Sequence, residues 1–152
     1  MAAIARDPVG IFLEASGVVL DGITEPKIAE VMACREGLAL AADLMLTSVR
    51  LASDCANAIR SMEGRNMSPY GQIVKKIQIR AHDFLLVDFV HENRKSNVDA
   101  HTLARSLISF YTGRHVWFLN RLLAFVILLS ASIKSVVISQ KKMHPFLMSC
   151  LV

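Results

Sequence analysis

A long apolar stretch over residues 23–55 constrains the fold of this chain more than any other feature of its sequence. Thr24 is a suitable N-cap, and Glu25 and Pro26 suit a first helical turn. Alanine, leucine and methionine then continue for about four turns, until the polar pair at 47–48 interrupts them. The stretch therefore predicts one helix followed by a short connection.

One side of this predicted helix carries small residues. Ala29, Ala33 and Gly37 recur at every fourth position, so they share one face of the helix. Such a face can approach a sheet closely, and Leu40 and Leu44 extend the same contact. We therefore expect an α/β fold in which this helix packs on a sheet.

The residues after the break alternate as a strand does. Positions 49–52 follow a period of two, and the predicted strand ends at Ser53-Asp54. A carboxylate at the C-terminal end of an α/β strand lies where such folds place their ligands. Since Glu30 is the only acidic residue in the apolar half of the helix, we expect Glu30 and Asp54 to converge.

Three segments carry a resemblance to a known family. They are AEVMACREGLALAADL from residue 29, VRLASDCANAIRSM from residue 49, and FVHENRKSNVDAHTLARSL from residue 89. In their order and spacing they resemble the ribonuclease H type 1-like domain of many plant proteins and of plant retroelement reverse transcriptases. The resemblance covers residues 2–118 and implies a mixed sheet with flanking helices.

The resemblance also implies that one strand is missing. A hairpin is predicted from Ala2–Arg6 and Ile11–Val19, and in the family this hairpin forms the second and third strands of five. The family's first strand, which carries its first catalytic aspartate, would precede residue 1. We expect the gap to be closed by its two neighbours or filled by a tail segment such as Ser135–Ser139.

The remaining elements follow in order. A short helix is predicted over 54–62, a second helix over 70–82 and a last strand over 85–91. Residues 96–99, Ser-Asn-Val-Asp, form a predicted capping box that opens a terminal helix. We assign the ribonuclease H-like domain to 1–118 and an apolar C-terminal extension to 119–152.

The family's chemistry is metal-assisted hydrolysis of the RNA strand in an RNA–DNA hybrid. Four acidic side chains hold two Mg²⁺ ions, and by resemblance Glu30 and Asp54 are two of these ligands. In the terminal-helix motif Asn97 leads to His101, which stands at a ligand position. Histidine is a poor Mg²⁺ ligand because hard cations prefer oxygen. With two of four carboxylates in place, we expect Mg²⁺ binding and hydrolysis to be weak or lost.

Two nearby residues have competing interpretations. Asp99 lies about 200° from His101 around the helix, and we interpret it as a capping residue. By resemblance, His91 lies close to a loop histidine that helps product release, while a solvated histidine at a strand end is the alternative. A zinc site from these histidines and a cysteine lacks the recognised ligand spacing.

The formal net charge of +4 permits a polyanionic partner. The candidate phosphate contacts, for which a solvated surface is the alternative, are Lys75, Lys76, Arg80, Arg94 and Lys95. No glycine-rich phosphate loop or Ser-His-Asp pattern is present in the sequence, and we expect no small-molecule substrate. Three cysteines without metal-ligand spacing favour a reduced intracellular setting, nuclear or cytoplasmic.

The tail differs in character from the rest of the chain. Leu122–Ser139 approaches the length of a membrane span, but Asn120, Arg121 and Lys134 interrupt it or flank it. We favour a packed helix or strand, with a membrane span and a mispredicted gene end as alternatives. The competing functional hypotheses are a weakly active hybrid ribonuclease, a non-catalytic nucleic-acid-binding module, and a relic domain associated with membranes through its tail.

Overall fold

The computed structural model describes residues 1–64, 70–118 and 146–151, the last range by its backbone alone. The strands are β1 (Ala2–Arg6), β2 (Phe12–Val19), β3 (Ser48–Ser53), β4 (Leu86–His91), β5 (Gly113–Phe118) and β6 (Phe146–Leu151). The α-helices are α1 (Pro26–Asp43), α2 (Ala56–Met62), α3 (Gly71–Ala81) and α4 (Val98–Ser106). A 3₁₀ turn precedes α4 at Arg94–Asn97, and a second follows it at Leu107–Ser109.

The strands form one mixed sheet in the order β4-β3-β6-β1-β2-β5. Strand β3 pairs in parallel with β4 and β6, whereas the pairs β6-β1, β1-β2 and β2-β5 are antiparallel. The prediction of a mixed sheet with flanking helices is confirmed. The predicted hairpin is confirmed as well, and Asp7 stabilises its turn because its Oδ1 accepts from the amides of Val9 and Ile11 at 3.0 and 2.7 Å.

Helix α1 begins one residue later than predicted. Glu25 is the N-cap, without a side-chain capping bond, and Pro26 is the first helical residue. The prediction of Thr24 as N-cap was wrong, since a proline at the first helical position fixes the backbone there. The small face is confirmed, because Ala29, Ala33 and Gly37 are all buried.

The core has one layer on each face of the sheet. Alternate residues of β1 point to opposite faces of the sheet and so belong to different hydrophobic clusters. Ala3 and Ala5 pack in the cluster that includes α1, whereas Ala2 and Ile4 pack in the cluster that includes α4. The first cluster is the larger and includes residues of α2 and α3. The elements that hold Glu30 and Asp54 therefore share a single core.

Strand β6 occupies the centre of the sheet. It pairs with β1 from Ala2 opposite Leu151 to Arg6 opposite Leu147, and with β3 from Val49 opposite Phe146 to Ala52 opposite Ser149. A tail segment therefore fills the expected gap, and β1 and β3 do not close on each other. The segment is 146–151, whereas Ser135–Ser139 lies outside the described residues.

The terminal helix is built differently from the prediction. Asn97 caps α4 by its backbone position, without a side-chain capping bond, so the capping box was wrong. Asp99 is buried and its Oδ2 accepts from the guanidinium of Arg6 at 2.9 Å. The partner of Asp99 is therefore Arg6 on β1, and this charge-assisted bond holds Asp99 toward the sheet.

Other elements match the sequence patterns closely. Helices α2 and α3 and strand β4 begin one or two residues later than predicted. Strand β5 was not predicted, and it extends the sheet beyond β2. None of the helices in the described ranges is long and apolar enough to cross a membrane, and Leu122–Ser139 lies outside those ranges.

The central position of β6 can be tested by removing one backbone donor. We expect Ser149→Pro to lower the free energy of unfolding by at least about 1–3 kcal/mol, because proline cannot donate a bond to the ladder and leaves a buried partner unpaired. Ser149→Ala, which keeps the amide, is the matched control. Urea denaturation of the two variants measures the difference, and equal stability would place the segment outside the sheet.

The ion pair between Arg6 and Asp99 can be tested by removing one or both charges. The two side chains are only 10% and 8% exposed. Arg6→Met should lower the free energy of unfolding by about 3–5 kcal/mol, because a buried carboxylate loses its partner. The double variant Arg6→Met/Asp99→Leu should recover most of this loss in the same denaturation experiment. A double variant no more stable than the single one would contradict the account.

Candidate functional site

The candidate site lies where α1 and the C-terminal end of β3 meet. Asp54 directly follows β3, and its position is fixed because the strand is paired on both sides. Glu30 lies on the first half of α1, next to Ala29 of the buried face. Both side chains are half-buried. We call the site formed by Glu30 and Asp54 the carboxylate rim.

The two carboxylates influence one another electrostatically. Burial and, in smaller measure, the negative charge of Asp54 together raise the pKa of Glu30 from its ordinary 4.5 to about 7, whereas the positive charge of Arg94 opposes both effects. Glu30 Oε2 is buried and accepts no hydrogen bond from the described residues. The expected convergence of Glu30 and Asp54 is therefore present, with Arg94 close enough to act on Glu30.

His91 lies beside the same rim. It is the last residue of β4, which pairs in register with β3, and Ser53 lies opposite His91. The ring Nε2 of His91 lies 3.2 Å from the backbone oxygen of Asp54, and the amide of Glu92 donates to Ser53 O at 3.0 Å. The exposed ring is thus held at the C-terminal end of β4.

His101 is in contact with Arg94. A guanidinium nitrogen of Arg94 lies 3.0 Å from His101 Nε2. A neutral imidazole with its lone pair on Nε2 can accept a hydrogen bond from the guanidinium at this distance. His101, which was predicted by resemblance to stand at a ligand position, therefore has its Nε2 in contact with Arg94.

The supply of carboxylates can be counted over the whole chain. All 13 acidic side chains lie at or before Asp99, and none falls in 65–69 or 119–152. Among the described residues, no three histidine, cysteine or acidic side chains are placed to hold a metal ion together. The rim therefore contains two carboxylates, Glu30 and Asp54. Two carboxylates do not fit a site for two Mg²⁺ ions.

The basic residues predicted to contact phosphate form two groups. Lys75, Lys76 and Arg80 are exposed on α3, as predicted. Arg94 and Lys95 are exposed on the 3₁₀ turn before α4, and Arg94 connects that turn to the rim. The second group is the one next to Glu30.

Sequence reasoning missed the pairing of Arg94 with His101. The signal was available, because residues seven apart lie two turns apart on one face of a helix, and the 3₁₀ turn and α4 form a nearly continuous helical segment. It also missed Cys55, the α2 N-cap, whose pKa is raised by burial and, in smaller measure, by the charge of Glu30. That proximity depends on the packing of α1 against the β3 end.

The mixed sheet, the helices on both faces and the carboxylate rim define a ribonuclease H-like domain. A family model described as reverse transcriptase-like matches residues 1–107, and the chain belongs to that ribonuclease H-like family. Membership makes the chain a nucleic-acid-binding domain in general terms. No curated protein and no solved structure matches it.

The raised pKa of Glu30 predicts a pH-dependent stability. Its protonated form is favoured in the folded state, so its contribution to stability is complete below about pH 4.5 and is lost as the pH rises through about 7. Glu30→Gln should therefore be more stable than the wild type at about pH 8.5, by roughly 1–3 kcal/mol after allowance for solvent screening. The two should be equal near pH 4.5.

Urea denaturation at both pH values measures this difference. Glu25→Gln is the matched control, since Glu25 is exposed at the start of the same helix. A pH-independent difference between Glu30→Gln and the wild type would contradict the burial of an ionisable Glu30.

Proposed function

We propose that this chain binds RNA–DNA hybrid duplexes and hydrolyses them weakly or not at all. The observation that carries the proposal is the composition of the rim: two interacting carboxylates, with Arg94 in contact with His101, the histidine that by resemblance takes a ligand position. The reverse transcriptase-like family match supports a nucleic-acid partner.

The chemistry of the rim supports weak hydrolysis. A two-ion mechanism needs enough carboxylates to hold both ions, one for the attacking water and one for the leaving oxygen. Glu30, with a pKa of about 7, is partly protonated at neutral pH, so a cation must displace a proton to bind there. Arg94 also places a positive charge beside any incoming cation. We propose that Mg²⁺ binds weakly at Glu30 and Asp54.

The same charges favour binding of a nucleic-acid backbone. Arg94 and Lys95 are exposed beside the rim, and His91 lies at the neighbouring strand end. Arginine suits phosphate because its planar guanidinium donates two parallel hydrogen bonds. Contacts from these side chains to the phosphates of a bound strand would be largely independent of sequence.

Hydrolysis can be measured on a labelled RNA–DNA hybrid with Mg²⁺ or Mn²⁺. We expect the wild type to show little or no cleavage above the Asp54→Asn variant, because the rim lacks ligands for two ions. Asp54→Asn keeps the size of the side chain and removes its charge. Robust cleavage by the wild type that Asp54→Asn abolishes would contradict the proposal of weak or lost activity.

Hybrid binding is tested by a salt titration. The affinity should fall as salt rises, and Arg94→Gln/Lys95→Gln should weaken binding and reduce the slope of log K against log salt by about 0.9 for each lost phosphate contact. Arg105→Gln, at an exposed position of α4, is the control for loss of charge alone. An affinity without salt dependence would rule out the phosphate contacts.

A further inference from the structure

A groove of about 650 Å³ lies between α1 and α3, away from the residues of the rim. We call it the α1–α3 groove. Its volume lies within the range of roughly 300–1,000 Å³ that is typical of ligand pockets. Seven of its nine lining residues are charged, so a ligand for it would be ionic rather than apolar.

One arginine forms ion pairs with two of the three acidic residues that line the groove. Arg114 of β5 donates to Glu36 Oε1 and to Asp43 Oδ2, both at 2.6 Å. The Glu36 side chain is only 10% exposed and needs this partner, because an unpaired buried carboxylate is costly. Asp83 is the one other acidic residue in the groove lining.

Three cations remain in the same groove. Arg35 of α1 and Lys76 and Arg80 of α3 all line it, and none forms an ion pair with another residue in the ranges that the structure describes. Lys76 and Arg80 are four residues apart on one helix, a spacing at which like charges destabilise the helix. An anion between the two helices would relieve this repulsion and would be contacted from both sides.

We propose that the α1–α3 groove binds a phosphate group through Arg35, Lys76 and Arg80. Arginine and lysine together supply the planar and the point-charge donors that phosphate oxygens accept. The phosphate belongs either to a free phosphate compound or to the backbone of a bound nucleic acid. In the second case the site extends the proposed function by a contact outside the rim.

The groove is separate from the rim. Arg35 follows Glu30 by five residues, which places it about 140° further around α1 and about 7.5 Å along the axis. The groove lining includes neither Glu30 nor Asp54. Substitutions in the groove therefore leave the carboxylate pair intact, and the two sites can be tested independently.

The chain offers a matched pair of variants. Lys75 and Lys76 are adjacent on α3 and both are exposed, but only Lys76 lines the groove. Lys75→Gln and Lys76→Gln remove the same charge from the same helix. Arg35→Gln tests the opposite wall from α1. Circular dichroism and thermal unfolding establish that each variant remains folded.

The probes are inorganic pyrophosphate and a labelled RNA–DNA hybrid, titrated against the full chain by calorimetry and by fluorescence anisotropy. We expect Lys76→Gln and Arg35→Gln to weaken pyrophosphate binding about tenfold or more, because each removes a charged hydrogen bond. Lys75→Gln should bind pyrophosphate like the wild type, because Lys75, a phosphate contact only by prediction from the sequence, does not line the groove. Loss of hybrid affinity in the same two variants would assign the phosphate to a nucleic-acid backbone, and unchanged hybrid affinity would assign it to a free phosphate compound.

The inference is overturned if pyrophosphate does not bind, or if Lys75→Gln and Lys76→Gln weaken pyrophosphate binding equally. The proposed function fails in a different way. Suppose that the hybrid does not bind at all, whereas pyrophosphate binds and Lys76→Gln weakens its binding. This result supports the phosphate site in the groove and contradicts the proposal of hybrid binding. Suppose instead that pyrophosphate does not bind and that only Arg94→Gln/Lys95→Gln weakens binding of the hybrid. This result supports hybrid binding and contradicts the phosphate site in the groove.

Discussion

The backbone hydrogen bonds at the centre of the sheet are the constraint on which the rest of the structure depends. Strands β1 and β3 each expose a row of amides and carbonyls toward the same gap, and burying such groups without partners is too costly to persist. Strand β6 satisfies both rows at once, antiparallel to β1 and parallel to β3. Because β3 is held on both sides, Asp54 at its end has a fixed position beneath α1.

That fixed position produces the electrostatics of the rim. Packing the small face of α1 against the sheet brings Glu30 to the end of β3, where burial and the charge of Asp54 raise the pKa of Glu30 to about 7. Arg94 compensates part of this charge and also contacts His101. The rim lies beside the exposed basic residues Arg94 and Lys95.

Local patterns in the sequence predicted the elements that depend on neighbouring residues alone. The hairpin, the small face of α1 and the strand that delivers Asp54 follow from turn residues and from periodicities of 3.6 and 2, and each is present. The capping box failed because Asp99 has a distant partner in Arg6, 93 residues away in sequence. Strand β5 was not predicted, because its pairing with β2 joins segments about a hundred residues apart in the sequence. No local pattern encodes such a pairing.

The sequence by itself determined the fold class and the expected meeting of Glu30 with Asp54. Only the tertiary structure decided which segment fills the sheet centre, which partner Arg94 takes and which of the adjacent lysines on α3 faces α1. The reason is physical. Helix and strand periodicity depends on residues a few positions apart, whereas strand partners, buried ion pairs and grooves depend on segments that the folded chain brings together.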